Sequence, residues 1–153
     1  MPKRKLTGLS TECTAAVMGT GKWLVTIPYE LIGGNEFDRR GGNYHARHRA
    51  SRREMQKIAE LLWLATRISG VTIPKATARR MVTIRQFRHS LLDEGDNWGS
   101  SHKLLYDVIK SEAFGWIIDD DARHVMQGEH AQFVDRLNRR TELIIQELDH
   151  GQR

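Results

Sequence analysis

Two clusters of carboxylates stand out in a chain that is otherwise basic. The first is Asp93-Glu94-Gly95-Asp96, and the second is Asp119-Asp120-Asp121, which follows the apolar run Trp116-Ile117-Ile118. Neighbouring ionised carboxylates repel one another, so such clusters are more stable when a cation neutralises them. Carboxylate oxygens are the hard ligands that Mg²⁺ and Mn²⁺ prefer, commonly together with phosphate oxygens of a substrate. The two clusters therefore indicate a metal-dependent enzyme that acts on a polyanion.

The basic residues are concentrated in two runs. Lys and Arg number 24 against 19 Asp and Glu, which gives a formal net charge of +5. One run extends from Asp38 to Lys57, and the other, from Lys75 to His89, contains no acidic residue. Such clustering is typical of nucleic-acid binding, although a solvated basic face is the simpler interpretation of any single run. The candidate phosphate contacts are Arg47, Arg49, Arg52, Arg85 and Arg88.

Composition argues against several other classes of protein. The single cysteine, Cys13, cannot form an intrachain disulfide, which suits a reducing compartment. No apolar stretch reaches the roughly 20 residues of a membrane-spanning helix, and no apolar signal-peptide core follows the basic start. Of the seven histidines only His45 and His48 are closely spaced, and no cysteine pair completes a zinc site. We therefore expect a cytoplasmic protein with no membrane partner.

The hydrophobic pattern predicts one domain over residues 22–150, preceded by a flexible basic tail over residues 1–21. The predicted elements are a strand at 22–27, a helix from 51 to 70, a strand at 78–89 and a helix at 97–113. Ser51 and Glu54 have the spacing of a capping box, which places the start of the first helix. After residue 123 periodicity leaves two alternatives open: strands at 123–132 and 141–148, or one terminal helix.

Three candidate residues share one face of the second predicted helix. Lys103 lies seven residues after Asp96, close to two helical turns, and Asp107 lies one turn further on. A helix N-terminus favours anions, so a substrate phosphate could approach there. Taken alone, Lys103 and Asp107 are better explained as an ordinary i,i+4 surface pair. That interpretation leaves Asp96 and the second acidic cluster unexplained.

The order of these residues resembles that of RusA-type Holliday junction resolvases. The resemblance is carried by Asp93-Glu94-Gly95-Asp96-Asn97-Trp98, by Lys103 with Asp107, and by Gly115-Trp116-Ile117-Ile118-Asp119-Asp120-Asp121. It implies a small mixed α/β (α+β) fold of about four strands and two main helices, in the order β-α-β-α-β-β. It therefore favours the two-strand interpretation of the final segment.

Carried over by position, the resemblance implies a set of site residues. Asp96 and Asp120 would be the catalytic, metal-binding carboxylates, and Lys103 would be the catalytic lysine. Glu94 and Asp119 would complete the metal ligands, and the cofactor would be Mg²⁺, with Mn²⁺ as a substitute. Glu94 stands where the family has an aspartate, and the family's Pro-Pro-Ser-Asn-like segment after the first strand is absent here.

The function that the resemblance implies is the resolution of Holliday junctions. A homodimer would hydrolyse paired phosphodiester bonds in branched DNA, in a bacterial cell that carries a phage or prophage. One alternative is a non-catalytic DNA-binding phage regulator whose acidic clusters are solvated loops. Another is a metal-dependent nuclease with the same chemistry that acts on flaps or forks.

Overall fold

The described part of the chain is built on one mixed β-sheet with helices packed against one face. The computed structural model describes residues 13–33, 44–93 and 96–148, and for residues 96 and 97 only the helical backbone. The strands are β1 (Thr14–Gly19), β2 (Lys22–Ile27), β3 (Arg80–Arg88), β4 (Val125–Gln127), β5 (Ala131–Val134) and β6 (Arg140–Glu147). The helices are α1 (Tyr44–Ser69), α2 (Asp96–Ser100) and α3 (Lys103–Lys110). The predicted mixed α/β fold is confirmed, with six strands among the described residues instead of about four.

The order of strands in the sheet is β1-β2-β6-β3-β4, and β5 also pairs with β3. Strand β3 thus pairs with three other strands. The β1–β2, β2–β6 and β3–β6 pairs are antiparallel, and β4 and β5 run parallel to β3. Strand β4 pairs with residues 80–82 of β3, and β5 pairs with residues 85–88. The first acidic run follows β3 in the chain, and the second precedes β4, the short strand that pairs with β3.

The core lies between the sheet and the two longer helices. Val82 and Ile84 of β3 are fully buried, as the alternation of a strand with one covered face requires. Ile58 and Leu62 of α1 and Leu105 of α3 belong to the same buried cluster. Helix α1 also contacts α3, β1 and β2. The apolar residues whose periodicity predicted the two helices therefore face the core.

The predicted tail over residues 1–21 is wrong for residues 14–19, which form β1. This strand makes a hairpin with β2, and Gly19 and Gly21 adopt positive φ angles of 147° and 69° in the turn. The backbone N–H of Ala15 also donates to Ser69 Oγ at the end of α1. The segment lacks the polar alternation of a half-buried strand, so periodicity gave no signal. Residues 1–12 lie outside the described residues.

The first helix begins at Tyr44, seven residues before the predicted start at Ser51. Ser51 and Glu54 are therefore interior positions, and their capping-box interpretation is wrong. The Glu54 side chain is buried instead and accepts a hydrogen bond from the Tyr29 hydroxyl. The added turns carry alanine and arginine, which favour helix, and the helix continues because no proline or glycine interrupts it. Most of the predicted loop at 33–43 lies outside the described residues.

The second predicted helix is two helices, with a break at Ser101 and His102. Both residues are buried, and Ser101 Oγ donates to the Trp98 carbonyl. The helix α3 then ends at Lys110, and Gly115 takes a φ of 61° in the turn that follows. The end of the chain forms β4, β5 and β6, so the terminal-helix alternative is wrong. Among the described residues, no helix is long and apolar enough to cross a membrane.

Thr83 and Ile84 of β3 pair with neither β4 nor β5. The residues that connect β4 to β5 cover this gap. The backbone N–H of Gly128 donates to the Val82 carbonyl at 2.8 Å. The His130 ring then accepts the Ile84 backbone N–H through Nδ1 at 3.0 Å. The His130 side chain thus takes the place of a strand as the partner of the Ile84 backbone. Gly128 lies so close to β3 that a Cβ atom at this position would have no room.

We predict that Gly128→Ala destabilises the fold. An added Cβ would lie 2.0 Å from Thr83 Oγ1 and 3.3 Å from the Val82 carbonyl, and threonine is stiff at χ1. Urea denaturation should show a loss of about 1–3 kcal/mol in the free energy of unfolding.

The matched control is Gly99→Ala, since a Cβ at Gly99 would meet open space. Its stability should stay within about 0.5 kcal/mol of wild type or rise, because alanine favours helix. Equal stabilities of the two variants would refute the tight contact at Gly128.

Candidate metal centre

Three carboxylates converge on the side chain of Lys110. Its Nζ lies 3.4 Å from Asp107 Oδ1, 3.5 Å from Asp119 Oδ1 and 3.2 Å from Asp120 Oδ1. Asp107 and Lys110 are three residues apart on α3, a spacing at which helical side chains meet. Asp119 and Asp120 come from the segment between α3 and β4. The four groups form a half-exposed cluster that we call the Lys110 cluster.

The return of the chain along α3 brings the second acidic run to Lys110. The Trp116 backbone N–H donates to the Ile109 carbonyl at 2.9 Å, and Trp116 and Ile117 are both buried. From β3, the Arg80 guanidinium donates to the Trp116 carbonyl at 2.9 Å. Because these buried residues fix the backbone just before Asp119, the carboxylates that follow are held beside the end of α3.

Hydrogen bonds and charge stabilise the ionised forms within the cluster. The Asp120 backbone N–H donates to Asp119 Oδ1 at 2.8 Å, and this bond, aided by Lys110, lowers the pKa of Asp119. Burial lowers the pKa of Lys110, but its ion pairs with Asp120 and Asp107 outweigh burial and raise it. Near neutral pH the three carboxylates are therefore opposed by one ammonium, which leaves an excess of negative charge.

Asp121 belongs to a separate turn. Its Oδ1 accepts the backbone N–H groups of Arg123 and His124 and lies 2.6 Å from His124 Nδ1. Asp119, Asp121 and His124 each offer one ligand atom, and these atoms lie within 4.8 Å of one another. The Asp121 oxygens, however, already cap the turn into β4 and pair with Arg123. Asp119, Asp121 and His124 nevertheless remain the one group among the described residues whose ligand atoms lie close enough together for a metal ion, and Asp119 is shared with the Lys110 cluster.

The first acidic run is anchored from β5. The Gln132 amide exchanges two hydrogen bonds of 2.9 Å with the Leu92 backbone, next to the exposed Asp93. The Trp98 backbone N–H donates to the Asp93 carbonyl at 3.1 Å, which connects this segment to α2. Asp96 is the first residue of α2, but its side chain lies outside the described residues, as does all of Glu94. Their predicted role as metal ligands stays a prediction.

Lys110, and not Lys103, is the lysine that contacts these carboxylates. Lys103 is exposed at the start of α3, on the same face as Asp107 but on its N-terminal side. Sequence reasoning paired Asp107 with Lys103 at i,i+4 and overlooked the i,i+3 pair with Lys110. The available signal was that positions 103, 107 and 110 share a helix face. The catalytic role predicted for Lys103 is not tested by this arrangement.

A polar contact connects α3 to β3 through His130. The Tyr106 hydroxyl lies 3.0 Å from His130 Nε2, and His130 Nδ1 accepts the Ile84 N–H. Since Nδ1 is an acceptor, the neutral ring carries its proton on Nε2 and donates it to Tyr106. Burial raises the pKa of Tyr106, and the charge of Asp120 raises it further. No spacing in the sequence pairs residue 106 with residue 130, so sequence reasoning missed this contact.

Four of the predicted DNA contacts are accessible. Arg47, Arg49 and Arg52 are exposed on the first turns of α1. The side chain of Arg85, on the sheet face away from the core, is about half exposed and lies 4.0 Å from Glu142. These positions are compatible with contacts to phosphate.

The predicted DNA contact at Arg88 is wrong, because this side chain is buried beneath the sheet. It donates to the Leu31 carbonyl at 2.8 Å and to the Gln86 side chain, and burial lowers its pKa. Arg88 is in phase with Val82 and Ile84, so the alternation of β3 turns it toward the core. Its function is structural support.

We predict that replacing Arg88 lowers the stability of the fold, whereas replacing Arg85 changes DNA binding. Arg88→Met should lower the free energy of unfolding by about 1–3 kcal/mol, because its buried hydrogen-bond acceptors lose their donor. Arg85→Met should stay within about 0.5 kcal/mol of wild type in urea denaturation. On duplex DNA only Arg85→Met should reduce the salt dependence of binding, by about one unit of slope. If Arg88→Met had the stability of wild type and a reduced salt dependence of DNA binding, Arg88 would be a DNA contact.

Two buried histidines predict a loss of stability at mildly acidic pH. Burial, together with His130 and Arg88, lowers the pKa of His102 to about 3, and burial also lowers the pKa of His130. The unfolded chain binds a proton at His102 below a pH of about 6.5, whereas the folded chain does not, and the lowered pKa of His130 acts in the same direction. Stability is therefore complete above about pH 6.5 and falls as the pH is lowered.

The free energies of unfolding measured in urea at pH 7 and pH 5 should differ by about 2 kcal/mol because of His102. His102→Phe should reduce that difference, since it removes one of the two histidines and a ring nitrogen, Nε2, that is buried without a hydrogen-bond partner among the described residues. The control is His89→Gln, at an exposed position. An unchanged pH dependence in His102→Phe would contradict the assignment.

Comparison with known proteins leaves the family open. No protein-family model matches the chain, and no curated protein matches its sequence. The resemblance to RusA-type resolvases therefore stays an expectation based on the spacing of its motifs. The features that bear on function are therefore the acidic residues near Lys110 and the exposed arginines of α1 and β3.

Proposed function

We propose that the protein is a Mg²⁺-dependent, structure-selective endonuclease that resolves Holliday junctions by paired phosphodiester hydrolysis. One observation carries this proposal. Asp119 lies beside the Lys110 ammonium together with Asp107 and Asp120, and it also forms a group with Asp121 and His124 whose ligand atoms lie within 4.8 Å of one another. The fold therefore brings the second acidic run and its neighbours together around positions suited to a cation.

The donor set fits the group that the motif order implies. The donors that Asp119 and Asp120 offer are carboxylate oxygens, which Mg²⁺ prefers, and Mn²⁺ accepts the same ligands. Both side chains are partly exposed, so an ion held by them would be accessible to water and to a phosphate oxygen. When bound, Mg²⁺ would polarise the scissile phosphate and lower the pKa of the attacking water.

The chain's own residues would divide the work as follows. Asp120 and Asp119 hold the ion from the second acidic run, and Asp96 and Glu94 add ligands from the first. Lys103, at the entrance of α3, stabilises charge that develops on the phosphate as the bond breaks. Each of these assignments follows the motif order, and the fixed backbone before Asp119 supports the first of them.

The basic start of α1 would bind the DNA backbone. Arg47, Arg49 and Arg52 are exposed on turns of the helix whose side chains make little contact with the core. Arginines contact phosphates without reading base sequence, which suits an enzyme that selects DNA by its shape. Arg85 would add a contact from the sheet.

Paired cuts require two active sites at a fixed separation. A homodimer with two-fold symmetry supplies them and matches the symmetry of a four-way junction. We propose such a dimer as the active form, acting in the cytoplasm of a bacterial cell that carries a phage or prophage.

A second candidate function is DNA binding without cleavage. The observation that favours it is the same set of ion pairs, because Lys110 partly neutralises the carboxylates without any divalent ion. In that case the cluster stabilises the turn after α3, and the arginines alone interact with DNA. A nuclease specific for flaps or forks would share the proposed chemistry and differ only in its substrate.

One experiment separates these functions. Labelled four-way junction, fork and linear duplex are incubated with the protein in Mg²⁺ or in EDTA. We expect cleavage of the junction in Mg²⁺ only, and Asp120→Asn should slow it on the order of 100-fold or more, because an ion ligand is lost. Junction binding should be retained or tightened, since a negative charge near phosphate is removed.

The control variant is Glu112→Gln, which makes the same change of charge at an exposed position close to α3. It should cut at the wild-type rate. Binding without cleavage by the wild-type protein would favour the regulator, and preferential cleavage of the fork would favour the flap or fork nuclease. A wild-type rate for Asp120→Asn would remove Asp120 from the metal centre.

A further inference from the structure

Three flat side chains stack across the face of the sheet that the helices leave uncovered. Arg140 of β6, Phe87 of β3 and Phe133 of β5 occupy opposed positions in the strand register. The Arg140 guanidinium lies 3.7 Å from the centroid of the Phe87 ring, and the Phe87 and Phe133 rings stack with centroids 5.1 Å apart. Opposed side chains on neighbouring strands point to the same face, so the three groups form one row, which we call the aromatic row.

The aromatic row is closed at one end and open at the other. At the β6 end the Arg140 guanidinium is held by Asp135 at 3.3 Å and by Glu142 at 3.1 Å, and its side chain is only 18% exposed. At the β5 end Phe133 is 45% exposed, and among the described strands β5 pairs only with β3. Phenylalanine has no polar atom to interact with water, so a flat group that covered this ring would gain free energy by burial and by stacking.

The surroundings of the aromatic row carry an excess of positive charge. Residues 135–142 contain three arginines and two carboxylates, and Arg85 of β3 adds a fourth cation on the same face. Both carboxylates are already paired with Arg140, whereas Arg136 and Arg139 are exposed in the turn between β5 and β6. A ligand of this surface therefore combines a flat apolar face with negative charge. A second copy of the same surface does not fit, because two positive patches repel each other.

A nucleotide of a nucleic-acid strand has this combination of properties. Its base offers a flat π face to an aromatic side chain, and its phosphate is the anion that arginine binds. In a duplex both faces of each base are covered by the neighbouring base pairs, so only an unpaired base can stack on Phe133.

We propose that Phe133 is a stacking site for an unpaired base of DNA, and that Arg136 and Arg139 bind the phosphates of the same strand. This inference rests on the proposed function, because it takes DNA as the nucleic acid. It names the feature of branched DNA that the protein recognises, which is a base that has lost its pairing partner at the branch point.

The stacking site lies at the edge of the sheet that also holds the first acidic run. Gln132, the residue before Phe133, binds the backbone of Leu92, the residue before Asp93. Gln132 and Phe133 are neighbours on a strand and point to opposite faces. A strand bound at Phe133 therefore passes around this edge to reach the acidic residues.

The first test measures binding to DNA without any cleavage. Fluorescence anisotropy in EDTA compares a labelled oligothymidylate, which has no base pairs, with a labelled duplex. Phe133→Leu keeps an apolar side chain but removes the ring, so it should bind the oligothymidylate about tenfold more weakly, a loss within the range that one stacked base provides. Its affinity for the duplex should equal that of wild type. Phe133→Tyr keeps a ring and should bind both DNAs as wild type does.

The matched control is Leu137→Ala, which removes an apolar side chain that is 99% exposed in the adjoining turn. It should bind both DNAs as wild type does, because no ring is lost. Equal losses of oligothymidylate binding in Leu137→Ala and Phe133→Leu would refute the stacking site. A wild-type affinity of Phe133→Leu for oligothymidylate would refute it as well.

The two arginines are tested through the salt dependence of the same binding. For the double variant with Arg136→Gln and Arg139→Gln, the slope should be reduced by about 1.4 units, because each phosphate contact on a single strand contributes about 0.7. An unchanged slope would overturn the contact of these arginines with phosphate.

A measurement on the unaltered protein remains decisive if Phe133→Leu fails to fold. Ultraviolet crosslinking to an oligonucleotide that contains 5-iodouracil joins this base to an aromatic ring that lies against it. After digestion with trypsin, the modified peptide should span residues 124–136, and its fragmentation in a mass spectrometer should place the base on Phe133. A crosslink confined to other residues would overturn the proposal.

Sedimentation velocity tests whether this face contacts another protein chain instead. Wild type and Phe133→Leu should show the same oligomeric state without DNA. A changed oligomeric state together with unchanged DNA binding would make Phe133 a contact between protein chains and overturn the proposal.

Failure of this inference is distinguishable from failure of the nuclease proposal. If wild type cuts the junction but Phe133→Leu binds oligothymidylate as wild type does, the stacking site is wrong and the nuclease stands. If Phe133→Leu loses oligothymidylate binding but wild type cuts no DNA, the stacking site is supported and the nuclease is wrong.

Discussion

The structure depends on the need of polar side chains buried on β3 to find hydrogen-bond partners. Arg80, Gln86 and Arg88 share the covered face of this strand with apolar residues and are almost inaccessible to water. A buried cation without partners would be very costly, so each guanidinium must be met by oxygens from other segments. Arg80 draws the Trp116 carbonyl to β3, Gln86 binds Ser101 between the two short helices, and Arg88 binds the Leu31 carbonyl. Three separate loops are thereby fixed to one strand.

The position of the acidic residues follows from this anchoring more than from their own ion pairs. Half-exposed ion pairs contribute roughly 0–1 kcal/mol each, whereas full burial of a large apolar side chain contributes about 1.5–3 kcal/mol. Trp116 and Ile117 are 4% and 1% exposed, so they dominate the placement of the backbone that continues into Asp119. The core consequently holds the carboxylates close together despite their mutual repulsion. Such a preformed excess of negative charge attracts cations, and the Lys110 ammonium is the one that the fold itself supplies.

Secondary-structure elements were predicted correctly where the hydrophobic periodicity is clear. The predictions were wrong or incomplete where contacts between distant segments determine the structure. The strand at 22–27, the strand at 78–89 and the helix ending at Gly70 were predicted because one face of each is buried. Strand β1 was missed because its residues are small and nearly uncharged, and its pairing with β2 defines it. Arg88 was assigned to the surface by charge, although its phase with Ile84 already indicated the core. Helix spacing alone could have paired Lys110 with Asp107, but the contacts of Lys110 with Asp119 and Asp120 depend on the turn that follows α3.

The interrupted pairing beside β3 also determines how the sheet meets its surroundings. On that side, within the described residues, the outer strands have three and four residues, and the His130 ring covers the backbone between them. A short, broken edge offers no continuous ladder to a strand of another molecule. The opposite edge among the described strands is β1, an uncharged strand of six residues whose Val17 and Met18 are exposed. Its pairing with β2 shifts register between Val17 and Gly19, and its Ala15 N–H already donates to Ser69 Oγ. Each edge of the described sheet is thus interrupted, so a strand of another molecule would find only short stretches of free backbone on either side.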